Sequence, residues 1–246
     1  MRFRVSNNPW LLLVFVLVPI SILALRPKPA SPLSELPPVI IWAWERPEKL
    51  DFINTDQVGV AFLAKTVRLE GDHVVSKPRL QPLELAPGTK LMAVVRIESD
   101  HPTLSATQLR KTAVEVASVS ELSSVSAVQI DFDATVSERN FYRKLLNELK
   151  PRSPSLSITA LASWCAGDNW ISDLPIDEAV PMLFRMGIDH KHFQSRPQFE
   201  PSICAKSAGV STDEPLAPPN VDRLYIFSPK PWTPASLNSA LETYKR

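Results

Sequence analysis

The sequence predicts an α/β protein, a (β/α)8-like TIM barrel that we expect to be incomplete or irregular, preceded by an N-terminal membrane segment. Two observations favour this fold. Seven β-like apolar runs alternate with helix-like or loop segments, a rhythm typical of a parallel sheet. Polar residues gather at the C-terminal ends of several runs, where barrel enzymes carry their chemistry. An open doubly wound sheet has the same rhythm, so the polar strand ends decide for the barrel.

Length and composition are those of one large domain. The chain has 246 residues, of which 44% are hydrophobic, enough for a substantial single core. The formal net charge of +1 gives no field that would gather nucleic acid, so we expect no nucleic-acid partner. With 24 prolines and 6 glycines the chain lacks Gly-rich phosphate loops, and no Walker or dinucleotide motif occurs. We therefore predict no cofactor.

The N-terminus reads as a membrane-targeting segment. Arg2 and Arg4 precede an uncharged run over residues 10–25, so residues 1–25 are predicted to be a signal anchor or a signal peptide. Ala24 supplies only the last small residue of a cleavage pattern, which favours an uncleaved anchor. The basic start predicts a bacterial inner-membrane protein with a single N-terminal anchor and a periplasmic domain; secretion to the periplasm is the alternative.

The rest of the chain divides into a Pro-rich extended tether over residues 26–38 and a barrel domain over residues 39–246. The predicted strands are residues 39–45, 58–65, 91–98, 127–133, 156–164, 179–186 and 224–228. Helices are predicted over residues 103–122, 137–149 and 234–244, and a hairpin over residues 67–75. Residues 188–222 read as a long Pro-rich excursion, which we expect to be a lid or rim over a binding surface.

The strand over residues 127–133 carries the main candidate site. Residues two apart share a face of a strand, so Gln129, Asp131 and Asp133 point one way and apolar residues the other. A buried carboxylate must be paired, hydrogen-bonded, metal-bound or protonated. Arg96 and Glu98 alternate in the same way at the end of their strand. Two carboxylates on one buried face therefore indicate a functional site.

Glycoside hydrolysis needs one protonated and one charged carboxyl group, and the catalytic candidates are Asp133 first, then Asp131 and Glu98. The structural alternative is an ion-pair network in which Arg96 and Arg185 neutralise the carboxylates. A metal ion on Asp131 and Asp133, as in a metal-dependent deacetylase, is the weakest alternative because no further ligand has a recognisable spacing; we predict no metal site. The candidate substrate-binding residues are Glu45, Arg96, Gln129, Trp164 and Arg185.

Aromatic and cysteine residues complete the candidate list. Trp164 follows a strand and could stack on a sugar ring, whereas Trp42 and Trp44 are predicted to be core residues. Cys165 and Cys204 are the only cysteines, and an oxidising compartment would let them form a disulfide that pins the excursion to a strand end.

Eight segments together resemble an uncharacterised bacterial domain-of-unknown-function family, number 3142. They are residues 42–48, 58–63, 94–98, 129–134, 157–165, 177–187, 209–215 and 229–232, and the resemblance covers about residues 39–246. It implies a TIM barrel of the glycoside-hydrolase type and brings no established activity.

The segment around Asp131 also looks like part of the Asp-x-x-Asp-x-Asp-x-Glu strand of chitinase-type glycoside hydrolases. Asp131 and Asp133 match the second and third acidic positions, while Val128 stands on the first and Thr135 where that family has its acid Glu. Either Glu98 or Glu45 supplies the acid, or the barrel binds glycan without cutting it. We therefore expect an envelope protein that hydrolyses or binds a polysaccharide, with a non-catalytic glycan-binding or scaffold protein as the alternative.

Overall fold

The protein is described by a computed structural model over residues 32–100, 104–153, 155–168, 170–187, 199, 201–216 and 220–244. Its main feature is a closed barrel of eight parallel strands. In chain order the strands of the described residues are β1 Val39–Ala43, β2 Glu48–Leu50, β3 Val58–Glu70, β4 His73–Pro78, β5 Leu83–Leu85, β6 Leu91–Ser99, β7 Val125–Asp131, β8 Leu156–Leu161, β9 Glu178–Met182, β10 Ser207–Ser211 and β11 Arg223–Phe227. The predicted TIM-like barrel is thus confirmed.

The barrel closes through the order β1, β3, β6, β7, β8, β9, β10 and β11, with β11 pairing back to β1. Outside it, the long β3 continues into the predicted hairpin with the antiparallel β4, and β2 pairs with β5 as a separate two-stranded sheet. The eighth barrel strand, β10, lies within the segment predicted to be an excursion. That part of the prediction was wrong, because the small residues of β10 give little strand signal although all five are buried.

Three α-helices occur in the described part of the chain: α1 Ala106–Ala117, α2 Arg139–Leu149 and α3 Pro234–Thr243. A capping box starts α1, in which Ser105 and Gln108 satisfy each other's backbone N–H groups, and Thr233 caps α3 in the same way. Short 3-10 turns cover Pro32–Glu35, Ser118–Glu121, Lys150–Arg152 and Ser202–Cys204. Within the described residues, these α-helices cover the β6–β7 and β7–β8 connections and the chain after β11.

Alternation along the strands separates two apolar regions. Val128 and Ile130 of β7 point outward and pack with Tyr142 and Leu145 of α2. Side chains on the other face fill the barrel interior, where Trp42, Val94, Val180 and Tyr225 belong to one buried cluster. Gly209 makes room for the Met182 side chain in this interior, because a Cβ atom at position 209 would lie only 2.7 Å from Met182 Sδ. The interior is thus a packed core whose upper surface is the floor of the C-terminal mouth.

The N-terminal end of the barrel is closed by the segment before β1. Leu33 and Leu36 are buried in the interior cluster, and Arg223 donates to the Leu33 carbonyl over 2.5 Å. Residues 32–38 are therefore part of the barrel, and the prediction that they belong to an extended tether was wrong. Residues 1–25, the predicted anchor, lie outside the described residues. No helix within the described ranges is long and apolar enough to cross a membrane.

Candidate functional site

A polar cavity of about 380 Å³ opens at the C-terminal ends of β6 and β7. Strand register places Arg96 of β6 beside Asp131 of β7, so the two strands deliver their last side chains to one place. The cavity is lined by Arg96, Ile97, Glu98, Ser99, Asp100, Asp131, Phe132, Asp133, Thr135 and Glu138. The three carboxyl groups predicted to be catalytic are therefore brought together.

Asp131 is the most perturbed carboxyl group of the cavity. It is half-buried at the end of β7, and Thr159 of β8 donates a hydrogen bond of 2.8 Å to its Oδ1. The pKa of Asp131 is raised to about 6, mainly by burial; the hydrogen bond from Thr159 and the charge of Arg96 oppose this rise, and the charges of Asp133 and Glu98 contribute to it. This carboxyl group can therefore hold a proton at mildly acidic pH, as a general acid must.

Asp133 lies two residues further along, at the rim of the cavity, and is exposed. Partial loss of solvent raises its pKa, and the charge of Arg96 counteracts that rise. Within the described residues, neither Asp131 nor Asp133 forms an ion pair with an arginine. The neutralised network that was the alternative to catalysis does not include these two carboxylates.

Glu98 lies in a different environment. Arg96 Nε is 3.0 Å from one of its carboxylate oxygens, and Arg68 Nε of β3 donates to the other over 3.0 Å. Two guanidinium groups thus occupy both carboxylate oxygens of Glu98. Arg96 binds Glu98 and is therefore not free to contact a ligand.

Glu138 is a carboxylate of the cavity that sequence reasoning missed. It is buried, and it accepts hydrogen bonds from the Thr135 backbone N–H over 2.7 Å, from Thr135 Oγ1 over 2.6 Å and from the Ser99 hydroxyl. It thereby connects the end of β6 to the turn before α2. The Thr-x-x-Glu spacing of Thr135 and Glu138, a helix-start pattern, is the sequence signal that could have revealed it.

The remaining predicted substrate-binding residues lie elsewhere or are occupied. Glu45 accepts from the backbone N–H groups of Leu80 and Gln81 and lines a second cavity of about 350 Å³, which shares Glu98 with the first. Gln129 is buried inside the barrel, where its Nε2 donates to Ser157 over 3.0 Å. Its depth, two residues below Asp131, removes it from the cavity.

Trp164 and Arg185 also lie away from the cavity, although the sequence predicted that they bind substrate. Trp164 is 2% exposed and packs edge-on against Trp170 in the outer core, so it offers no face to a sugar. Arg185 lies 3.7 Å from Asp213, and its backbone N–H donates to Glu214. It does not neutralise the carboxylates of β7.

The disulfide predicted between Cys165 and Cys204 is present, with 5.9 Å between the two Cα atoms. It joins the segment after β8 to the 3-10 turn before β10, and both residues are buried. Cys204, which lies within the supposed excursion, is thus joined to a strand end, as expected. Ser207–Ser211 of the same segment form the barrel strand β10.

Sequence reasoning also missed a network of buried polar side chains at the N-terminal end of the barrel. Glu178 of β9 is 4% exposed and accepts hydrogen bonds from four side chains, which are Ser157, Ser207, Arg223 and Tyr225. Each of its oxygens has two donors, so this carboxylate is fully satisfied. Its position opposite the mouth and its saturation indicate a structural role.

No group of three or more His, Cys, Asp or Glu residues among those described has a geometry that could hold a metal ion. Comparisons of the chain with protein-family models, with curated proteins and with solved structures gave no match. The assignment of a function therefore depends on the site itself.

Proposed function

We propose that the chain is a glycan-active barrel of the bacterial cell envelope that hydrolyses a polysaccharide through Asp131 and Asp133. One observation carries this proposal: two carboxyl groups free of arginine partners among the described residues line one cavity at the C-terminal end of a barrel, and burial raises the pKa of one to about 6. This is the division into one protonated and one charged carboxyl group that glycoside hydrolysis requires.

The two groups have distinct parts in the proposed reaction. Asp131, protonated below about pH 6, gives its proton to the oxygen of the leaving sugar. Asp133, more exposed and near Arg96, is the charged base or nucleophile. Residues two apart have Cα atoms at most about 7 Å apart, compatible with the roughly 5 to 9.5 Å between the carboxyl groups of glycosidases.

The envelope location is supported by two features. The N-terminal basic and apolar segment would place the barrel outside the cytoplasmic membrane, either anchored or secreted to the periplasm. The Cys165–Cys204 disulfide suits an oxidising compartment such as the periplasm. The resemblance to the uncharacterised family of glycoside-hydrolase-type barrels agrees with a glycan as the partner.

A non-catalytic glycan-binding or scaffold protein is the second candidate. Thr135 stands where chitinase-type barrels have their acid Glu, and its hydroxyl donates to Glu138. Glu98, the replacement acid considered from the sequence, is held by Arg68 and Arg96. A barrel that kept its cavity but lost its acid would have these features.

The two candidates are separated by assaying the full chain against soluble cell-wall polysaccharides, with reducing ends and binding measured in parallel. We expect Asp133→Asn and Asp131→Asn to lower the release of reducing ends by at least about 100-fold, the contribution of one acid or base group. Asp56→Asn, which changes an exposed carboxylate away from the cavity, is the matched control and should leave the rate unchanged.

Binding without release by the unmodified chain would replace the hydrolase with the glycan-binding candidate. Neither binding nor release on any glycan would overturn the proposed function. Release that survives both substitutions would overturn the assignment of the two carboxyl groups.

A further inference from the structure

The upper surface of the barrel interior is aromatic on the side away from the carboxyl groups. Trp42 of β1 and Phe227 of β11 are buried, with ring centroids 4.5 Å apart. Above them lie Trp44, 4.9 Å from Trp42, and Phe184, 4.9 Å from Phe227. Trp44 and Phe184 are both partly exposed. The floor of the mouth therefore presents two aromatic rings to solvent.

These rings and the carboxyl groups border the same opening. Trp44 follows the last residue of β1, and Phe184 lies two residues beyond β9, whereas Asp131 ends β7. All eight barrel strands are parallel and closed, so their C-terminal ends converge on one face. Leu161, the last residue of β8 and 40% exposed, adds apolar surface at the end of the strand that pairs with β7. The mouth thus has an aromatic side and an acidic side.

The backbone that carries Trp44 is held in place. Arg79 Nη1 donates to the carbonyl oxygens of Ala43 and Trp44 over 3.3 and 2.6 Å, and its Nη2 donates to that of Arg46 over 2.6 Å. Arg46 in turn donates to the carbonyls of Ser228 and Lys230. A ring on such a fixed backbone loses little freedom when a ligand binds.

We propose that Trp44 and Phe184 form a stacking subsite for a pyranose ring, which places the neighbouring glycosidic bond towards Asp131 and Asp133. A pyranose with equatorial hydroxyls turns axial C–H bonds towards a flat aromatic ring, and tryptophan combines a large apolar face with a polar edge. The occupant is therefore a glycan built of pyranoses with equatorial hydroxyls. This inference rests on the proposed function that the mouth binds saccharide.

The test is a calorimetric titration of the full chain with cellohexaose and chitohexaose, whose pyranose units carry equatorial substituents. We expect at least one of the two hexasaccharides to bind. Trp44→Ala should weaken that binding by about tenfold or more, and Phe184→Ala by less. Trp44→Phe should restore most of the affinity, because it keeps an aromatic face.

Leu80→Ala is the matched control, because Leu80 is a 72% exposed apolar residue outside the aromatic cluster and should not affect binding. Near-ultraviolet circular dichroism checks that the variants remain folded. Wild-type affinity in folded Trp44→Ala would overturn the subsite while leaving the proposed function in place. An unmodified chain that binds neither hexasaccharide would overturn the subsite; continued turnover of a cell-wall polysaccharide would show that the proposed function survives it.

Discussion

Replacing Asp131 with asparagine should stabilise the fold at neutral pH while removing activity. In the folded chain the pKa of Asp131 is about 6, against an ordinary value of 3.8, because burial disfavours its charged form. A raised carboxyl pKa means that the folded state binds the proton more tightly than the unfolded state. The free energy of unfolding therefore falls as the pH rises from about 3.8 to about 6, and the full penalty is present above about pH 6.

The size of the effect follows from the two pKa values. The difference between 3.8 and about 6 corresponds to an upper limit of about 3 kcal/mol, at 1.36 kcal/mol for each tenfold change in proton affinity. Asparagine has nearly the shape of the protonated acid and carries no charge. It can still accept the hydrogen bond from Thr159, so the substitution removes the penalty and keeps the contact.

The assay is urea unfolding of the full chain and of the Asp131→Asn variant at pH 4, 5, 6, 7 and 8. We expect the stability of the variant relative to wild type to increase over this range and to level off above pH 7, at no more than about 3 kcal/mol. Asp56→Asn, which alters an exposed carboxylate, should show no such trend. A difference independent of pH, or a variant less stable than wild type at pH 8, would refute this account of Asp131.

Three further predictions concern other contacts. Reduction of the Cys165–Cys204 disulfide should lower the free energy of unfolding by up to about 4 kcal/mol for a loop of this length, seen as a lower urea midpoint; an unchanged midpoint would contradict it. Glu178→Ala should cost about 3–5 kcal/mol in urea unfolding, because it removes the carboxylate that pairs with the partly buried Arg223 and accepts from three buried hydroxyl groups; a loss below about 1 kcal/mol would show that the network carries little stability. Thr159→Val should raise the pKa of Asp131 above about 6, measured by carboxyl-carbon NMR, since it removes a donor to the charged form; a lower pKa would show that Thr159 does not act in this way.

The fold could be predicted where local pattern and tertiary environment agree. The alternation in β7 and the helix predicted over residues 234–244 correspond to an observed strand and to α3. β10 was missed because Val210 is the one β-branched residue among its five, and the other four are small. The glycine at position 209 has a tertiary cause, since Met182 and Phe227 occupy the space that a side chain there would need. A local sequence pattern does not reveal contacts with residues that are distant in the chain.

Only those features of the site that depend on the sequence of a single strand could be predicted. The pattern of Asp131 and Asp133 indicated the cavity, but the partner of Glu98 comes from Arg68, thirty residues earlier on another strand. Alternation gives the face of Gln129 but not its depth, which depends on how the strands are staggered around the barrel. Pairing and depth are therefore the parts of a site that sequence reasoning of this kind misses.

The carboxylates at the two ends of the barrel differ in how well they are satisfied. This difference places the expected function at the C-terminal mouth and not at the buried network around Glu178. Both ends hold carboxylates of low exposure, but Glu178 accepts hydrogen bonds from four side chains, two on each of its oxygens. Asp131 has one side-chain donor, a raised pKa and an open cavity, so its charged form remains incompletely compensated. A fold selected for stability alone would gain by replacing such a carboxylate. Asp131 lies beside Asp133 at a mouth that also has an aromatic side. This arrangement is expected when a ligand or a proton transfer, rather than the fold, uses the carboxyl group.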